Sequence, residues 1–144
     1  MPIKERPDHH DAELVLRLYD LRRETVMRAS RNAMLQFLPR TWEEFSAVLQ
    51  LTHPNNAAWR QTSSYWEMAY GFAKHGIVNP DFLIESSAEG ILLYAKVLPH
   101  LDRLRKEMSP TAFSNTEWIV QNSAVARQRL ELMQTRIRKM MEAK

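Results

Sequence analysis

The segment 116–144 is the feature of this sequence that most constrains its fold. Its apolar residues recur in alternating steps of three and four, provided that Ser123 is counted in the series, which is the spacing of one face of a helix. The residues in this series are Ile119, Ser123, Ala126, Leu130, Met133, Ile137 and Met140. The spacing predicts one long helix over residues 116–144.

This terminal segment also carries the positive charge of the chain. Residues 121–144 hold six Lys or Arg against two Glu, a local balance of +4, whereas the whole chain has a formal net charge of +3. We take Arg127, Arg138 and Lys139 as candidate nucleic-acid contacts, because phosphate binding needs cations on one face. A solvated helix end that is stabilised by its dipole explains the same residues. Nucleic-acid binding is therefore a second hypothesis and not the favoured one.

Composition narrows the fold class and the kinds of site. Only three glycines occur among 144 residues, which argues against an all-β fold and excludes glycine-rich nucleotide-binding loops. The chain has no cysteine, which excludes disulfides and thiolate chemistry and fits a reducing compartment. No stretch is apolar enough for a membrane span, and the first residues lack the apolar run of a signal peptide. We predict an all-α, single-domain cytoplasmic protein that does not bind membranes.

The periodic segments predict a bundle of five to seven helices. Residues 1–8, with two prolines, are expected to form a flexible arm, and residues 9–144 a single helical domain. The first helix is expected to run from about His9 to Pro39. Because it is of similar length to the last helix, we expect the two long helices to pack antiparallel. A parallel homodimer on the last helix is disfavoured, since it would oppose arginine to arginine.

The first helix carries apolar residues on two faces, which one core cannot cover. The second face consists of Leu16, Met27, Met34 and Leu38. Methionine suits adaptable interfaces, so this stripe is the candidate interface. The favoured hypothesis is a non-enzymatic protein-interaction module that acts as a homodimer, or that binds another protein.

Helix ends are marked by several local signals. Residues 41–44 and 114–117 both have the pattern of a capping box. Gly76 can adopt the left-handed conformation that ends a helix, and Asn79 can cap the next helix with proline at its first position. Pro99 predicts a kink, because proline removes one backbone hydrogen bond.

An aromatic helix over residues 57–75 offers a candidate pocket. It would be formed by Tyr65, Trp66, Glu67, Tyr70 and Tyr94. A carboxylate on an aromatic surface can have a raised pKa and act as a general acid or base. The alternative is an aromatic core with Glu67 paired to a cation at its rim. A small-molecule site or enzyme at this helix is the third hypothesis.

Other candidate chemistry has a plainer explanation. His9 and Glu13 have the i, i+4 spacing that can share a metal, but a solvated helix start explains them as well. His100 and Asp102 lack a nucleophile motif. We therefore assign no catalytic residue, no metal and no cofactor, and we expect that the protein is not an enzyme.

Three stretches follow one another in a recognisable order: Tyr65-Trp66-Glu67 through Gly71-Phe72, then the run from His75 to Phe82, then Leu92-Leu93-Tyr94 to Pro99-His100-Leu101. This pattern, an aromatic helix with a glycine stop, a short acidic helix and a Tyr-bearing helix with a late proline, resembles a family of small all-helical bacterial proteins of unknown function. The resemblance covers about the middle third of the chain. It implies a fold and supplies no activity, cofactor or catalytic residue.

Overall fold

The structure, a computed structural model, describes residues 2–143, and these residues form nine α-helices and one 3₁₀ turn with no β-strand. The helices are α1 (His9–Arg22), α2 (Thr25–Gln36), α3 (Trp42–Val48), α4 (Asn56–Lys74), α5 (Pro80–Ser86), α6 (Glu89–Val97), the 3₁₀ turn (Leu98–His100), α7 (Leu101–Glu107), α8 (Ser114–Asn122) and α9 (Ala124–Glu142). The all-α class is confirmed. Met1 and Lys144, the outer ends of the predicted arm and last helix, lie outside the described residues. None of the described helices has the length and apolar character needed to cross a bilayer.

The first predicted helix is two helices. It breaks at Arg23 and Glu24, where the Glu24 carboxylate accepts hydrogen bonds from the amides of Val26 (3.0 Å) and Met27 (2.8 Å) and so caps α2. Glutamate is an unusual N-cap, and the helical period gave no sign of the break. The prediction of a single helix from His9 to Pro39 was therefore wrong.

The last predicted helix is also two helices. Ser123 has an extended backbone (φ −132°, ψ 117°) between α8 and α9. Its hydroxyl accepts a hydrogen bond from the amide of Ala126 (3.1 Å) and donates one to Asp81 of α5 (2.6 Å). Because serine can cap a helix as readily as it can continue one, the periodic pattern did not reveal this bend. The prediction of one helix over residues 116–144 was wrong.

These two breaks change which helices pack together. The main partners of α9 are α6, α8 and α5, whereas α2 packs chiefly on α4. The buried side of α9 consists of Ala126, Met133 and Ile137, which share one core cluster with Ile91 and Ala95 of α6. The predicted antiparallel pairing of the terminal helices was therefore wrong, because the bends redirect both chain ends.

The long helix α4 lies at the centre of the fold. Helix α2 packs against one side of it and α8 against another. Its rings Trp66 and Tyr70 are fully buried, and α6 crosses them at Gly90. A Cβ atom at Gly90 would lie 2.6 Å from the Tyr70 hydroxyl and 2.7 Å from Trp66 Cγ. Only glycine allows this approach without displacing a buried ring.

Several predicted helix ends are confirmed. Gly76 has φ 74°, and the amide of Ile77 donates to the Phe72 carbonyl (2.9 Å), as in a helix stop of the Schellman type. The Asn79 side chain accepts from the amide of Phe82 (2.8 Å), with proline at the first position of α5. Pro99 lies in the 3₁₀ turn that joins α6 to α7.

One of the two predicted capping boxes forms in part, and the other does not form. At α3 the Thr41 hydroxyl accepts from the Glu44 amide (3.1 Å), while the Glu44 carboxylate accepts from the amide of Arg40 rather than from that of Thr41. The box at residues 114–117 was wrong, because Glu117 pairs with Arg105 (3.0 Å) instead of reaching back to the helix start.

The amino-terminal arm has specific contacts from residue 4 onward. The Lys4 ammonium binds the buried carboxylate of Asp11 (2.5 Å), and the Asn79 side chain donates to the Lys4 carbonyl (2.9 Å). Asp11 also accepts from the backbone amide of Asn79 (2.9 Å). These bonds tie the arm to the start of α5. Its flexibility stays a prediction.

Candidate functional site

Glu67, a residue of the candidate pocket, accepts hydrogen bonds from the start of α8. One carboxylate oxygen accepts from the Asn115 amide (3.0 Å), and the other accepts from both the amide (2.8 Å) and the hydroxyl (2.5 Å) of Thr116. The residue before α8, Phe113, has a left-handed backbone (φ 59°) and offers no side-chain cap. Glu67 therefore supplies from α4 the cap that the local sequence of α8 lacks.

Two of the predicted pocket tyrosines make hydrogen bonds in the core. Tyr65 donates to the Leu18 carbonyl (2.6 Å) and accepts from the Arg22 guanidinium (3.2 Å), while Tyr70 donates to the Ser87 carbonyl (2.8 Å). Burial raises the pKa of Tyr65 and raises that of Tyr70 well above its ordinary value. Both phenols therefore stay protonated, as structural donors do.

The five predicted pocket residues lie on different sides of α4. The Arg22 guanidinium lies over the Trp66 ring (5.3 Å), whereas the Tyr94 ring packs against that of Phe113 (5.9 Å) in a second core cluster. Glu67 lines one cleft, and Tyr65 lines another. The structure thus does not gather these residues around one cavity.

Two surface clefts flank the exposed side of α4 and meet at Ser64. The first has a volume of about 360 Å³ and lies between α4, α7 and the segment before α8, with walls that include Trp59, Leu104 and Phe113. The second has a volume of about 420 Å³ and lies between α4 and the corner of α1 and α2. Both are mostly apolar, and their volumes fall within the range of ligand sites.

The second cleft is framed by exposed apolar side chains. Met68 of α4 is 45% exposed and Leu21 of α1 is 47% exposed, and both line this cleft together with Glu24, Met27, Gln61 and Tyr65. We call the surface formed by Leu21, Glu24, Gln61, Ser64 and Met68 the α4 face. It is a concave surface in which the apolar side chains of Leu21 and Met68 lie beside polar side chains and one carboxylate.

The predicted interface stripe is divided between the core and the surface. Met27 and Met34 are each only 4% exposed, Leu38 is half-buried, and Leu16 is 66% exposed. The break before α2 changes the helical phase, so the methionines turn toward the core. The four residues therefore do not form one exposed stripe in the monomer, and of the four only Leu16 is fully on the surface.

The three basic candidates of α9 do not all lie free on one face of the helix. Arg138 and Lys139 are exposed, but a step of one residue turns about 100° around a helix. The Arg127 guanidinium donates to the carbonyls of Val120 (3.2 Å) and Gln121 (2.8 Å) at the end of α8. Arg127 is thus engaged at the bend, while the other two face solvent.

Two buried cations were not predicted from the sequence. The Lys96 ammonium donates to the carbonyls of Met34 and Leu35, each at 3.0 Å, at the end of α2, and burial lowers the pKa of Lys96 to about 8. Arg22 is buried beside Tyr65. Lys96 falls on the apolar period of α6, which is the one signal that would have indicated its burial.

Residues 2–143 contain no assembled metal site. His9 and Glu13 lie 2.9 Å apart at an exposed helix start. Among residues 2–143, no three His, Asp or Glu side chains come together as a metal site requires.

Comparison with known proteins supplies a family and no activity. A search of curated proteins and a search of solved structures each found no match. The family model described as "Domain of unknown function (DUF4760)" matches residues 7–123, which span α1 to α8 and end at the bend before α9. The chain, helical throughout its core and matched over most of its length, belongs to the DUF4760 family.

Proposed function

We propose that this protein is a non-enzymatic interaction module that forms a homodimer through the α4 face. The observation that carries this proposal is the cleft of about 420 Å³ between α4 and the α1–α2 corner, with exposed apolar side chains at its rim. Exposed apolar surface beside a concave site marks an interaction surface more often than a solvated one.

A second copy of the same chain suits this surface by shape. Met68 is 45% exposed at the cleft that it helps to line, so the α4 face has an accessible apolar side chain beside a hollow. A two-fold axis can place Met68 of each copy against the cleft of the other. An unbranched methionine side chain can adapt to such a contact.

The charges along the exposed side of α4 suit the same arrangement. Glu24 lines the second cleft, and Arg60 lines the first, one helical turn before Ser64. Arg60 is exposed and makes no ion pair with another described residue; its Nε donates to the Asn56 side chain (2.9 Å). In the proposed dimer Glu24, whose carboxylate also caps α2, faces Arg60 of the other copy, since opposite charges across an interface favour one register.

The state of the candidate pocket residues supports a non-enzymatic role. Both oxygens of Glu67 accept hydrogen bonds from α8, and the Tyr65 and Tyr70 hydroxyls donate to backbone carbonyls. A general acid or base needs a side chain that is free to exchange a proton with substrate. The cysteine-free sequence suits a cytoplasmic site of action.

Light scattering coupled to size-exclusion chromatography tests the proposal. We expect the native protein to be a dimer at micromolar concentration and Met68→Glu to be a monomer, because a buried carboxylate at the contact costs far more than the contact provides. Leu16→Glu is the matched control, an identical charge placed on an exposed side chain of α1 outside the α4 face.

A monomeric native protein at that concentration would refute the proposal. If Leu16→Glu is a monomer while Met68→Glu is still a dimer, the interface lies at the stripe that the sequence predicted and not at the α4 face.

A second candidate function is nucleic-acid binding through α9. Arg138 and Lys139 are exposed, and neither pairs with an acidic residue among those described. This hypothesis predicts an affinity for generic DNA that falls steeply with salt. The affinity should be lost in Arg138→Glu and kept in Arg28→Glu, a control at an exposed residue of α2. A salt-independent fluorescence polarisation signal, or equal loss in both variants, would remove it.

A further inference from the structure

The helical series of the last segment passes through the bend when Ser123 is counted in it. Ile119 lies in α8, Ser123 is the bend, and Ala126 and Leu130 lie in α9, in steps of four, three and four. Such a series is what a single continuous helix needs. Only one residue, Ser123, is outside helical geometry between α8 and α9. The same residues therefore specify two states, one bent and one straight.

We propose that α9 exchanges between two copies of this chain, with α8 and α9 joined into one straight helix in the exchanged dimer. The helix of each copy then packs on α5 and α6 of the other copy, in the place that its own α9 occupies in the monomer. This exchange is independent of the α4 face and goes beyond the function proposed above.

Two polar contacts hold the bend at its hinge, apart from the packing of α9 on the core. The Ser123 hydroxyl donates to Asp81 (2.6 Å), and the Arg127 guanidinium donates to the carbonyls of Val120 and Gln121. In a straight helix these two carbonyls accept instead from backbone amides four residues later, so the helix itself replaces the Arg127 bonds. At the hinge itself the cost of straightening is then mainly the loss of the Ser123 cap and of its bond to Asp81.

The buried side of α9 demands a partner after straightening. Ala126, Met133 and Ile137 pack in the core of the monomer, and a straight helix would expose both them and the surface of α6 that they cover. A second copy offers the same α6 surface and the same helix face, so reciprocal exchange restores each contact. Identical elements exchanged through a short hinge are an inexpensive route to dimers.

The packing around α9 is consistent with release. Clefts of about 320 Å³ and 380 Å³ lie on the two flanks of its carboxyl-terminal half, the first beside Pro99 and Arg138 and the second beside Leu38 and Met140. The carboxyl-terminal half of α9 is therefore bordered by a cleft on each flank. The family match also ends at residue 123, the bend itself.

The experiment compares hinge variants in a Met68→Glu background, which removes dimers that form through the α4 face. Ser123→Ala combined with Arg127→Ala removes both contacts that hold the bend and adds a strong helix former. Ala124→Pro has the opposite effect. Proline suits the first position of α9, where the amide has no helical partner, and it disfavours helical geometry at Ser123.

Each protein is refolded at high concentration and examined by light scattering and small-angle X-ray scattering. We expect Ser123→Ala with Arg127→Ala to raise the dimer association constant by about tenfold or more over that of Met68→Glu alone. Its dimer should be elongated, with a straight helix over residues 114–142 about 43 Å long. Ala124→Pro should be monomeric, and Arg129→Ala, an exposed control on the same helix, should match the background.

Two results would overturn the exchange: a doubly substituted protein that stays monomeric after refolding, or dimers of equal abundance in the proline variant. Neither result bears on the α4 face, which is tested by the Met68→Glu substitution in the otherwise native chain.

Discussion

Glu67 lies in α4 and caps the start of α8. Replacing it by alanine should lower the free energy of unfolding more than replacing any other acidic residue that caps a described helix. Glu67 accepts three hydrogen bonds at the start of α8, and Thr116, which provides two of them, is fully buried. Alanine leaves these donors without a partner. Loss of a helix cap costs about 1 kcal/mol, and each buried donor left unpaired costs about 1–3 kcal/mol.

The expected loss in the free energy of unfolding for Glu67→Ala is about 3 kcal/mol. For a chain of this size such a loss corresponds to a decrease in Tm of about 10 °C. Glu67→Gln should lose about half as much, because its amide keeps one acceptor oxygen and turns the other position into a donor. Urea unfolding followed by circular dichroism at 222 nm measures both changes.

Two controls separate this reasoning from its alternatives. Glu131→Ala, on the exposed side of α9, should change the free energy of unfolding by less than about 0.5 kcal/mol. Glu117→Ala should cost less than about 1 kcal/mol, since its partly exposed ion pair with Arg105 is weak. If Glu67→Ala proves as mild as Glu131→Ala, or if Glu117→Ala is the costlier change, then Glu67 is not the cap of α8.

Two further predictions concern packing and protonation. Gly90→Ala should lower the free energy of unfolding by about 2–3 kcal/mol, because the new methyl group meets the buried rings of Trp66 and Tyr70. Gly71→Ala should cost less, because its methyl group meets only the end of the Asn115 side chain. Equal unfolding midpoints of the two variants in urea would contradict this prediction. The pKa of Lys96 is about 8 in the folded protein against 10.5 for the free side chain, so from pH 8 toward 10.5 the unfolded state binds more protons and stability rises with pH. Unfolding at several pH values should show that rise in the native protein and lose it in Lys96→Met, and parallel profiles for the two proteins would exclude the assignment.

Local sequence signals identified the helix ends that depend on one residue's own chemistry. Gly76 adopts a positive φ that other residues avoid, and Asn79 followed by proline caps a helix wherever it occurs. These ends were predictable because the physical cause lies within a few residues of the signal. The helical class followed in the same way, from the apolar period and from the scarcity of glycine.

The candidate site was less predictable, because its geometry depends on distant contacts. Glu67 is 48 residues from the nearest amide that it caps, and nothing near it in the sequence indicates that partner. The exposed α4 face combines residues of α1, α2 and α4, so no single periodic pattern describes it. The predicted pocket combined residues of α4 with Tyr94 of α6, but α4 directs Tyr65 and Glu67 toward different clefts.

The sequence by itself therefore determined that the chain is helical and where several of its helices end, since helical period, glycine and proline act over one or two turns. The tertiary structure decided that the chain bends at Glu24 and at Ser123 and consequently which faces are buried. At Ser123 the local pattern is equally compatible with a bent and a straight helix, and contacts with other helices favour the bend: the bond to Asp81 and the burial of one side of α9 against the core. A choice between two states of similar local energy is made by contacts that no short stretch of sequence contains.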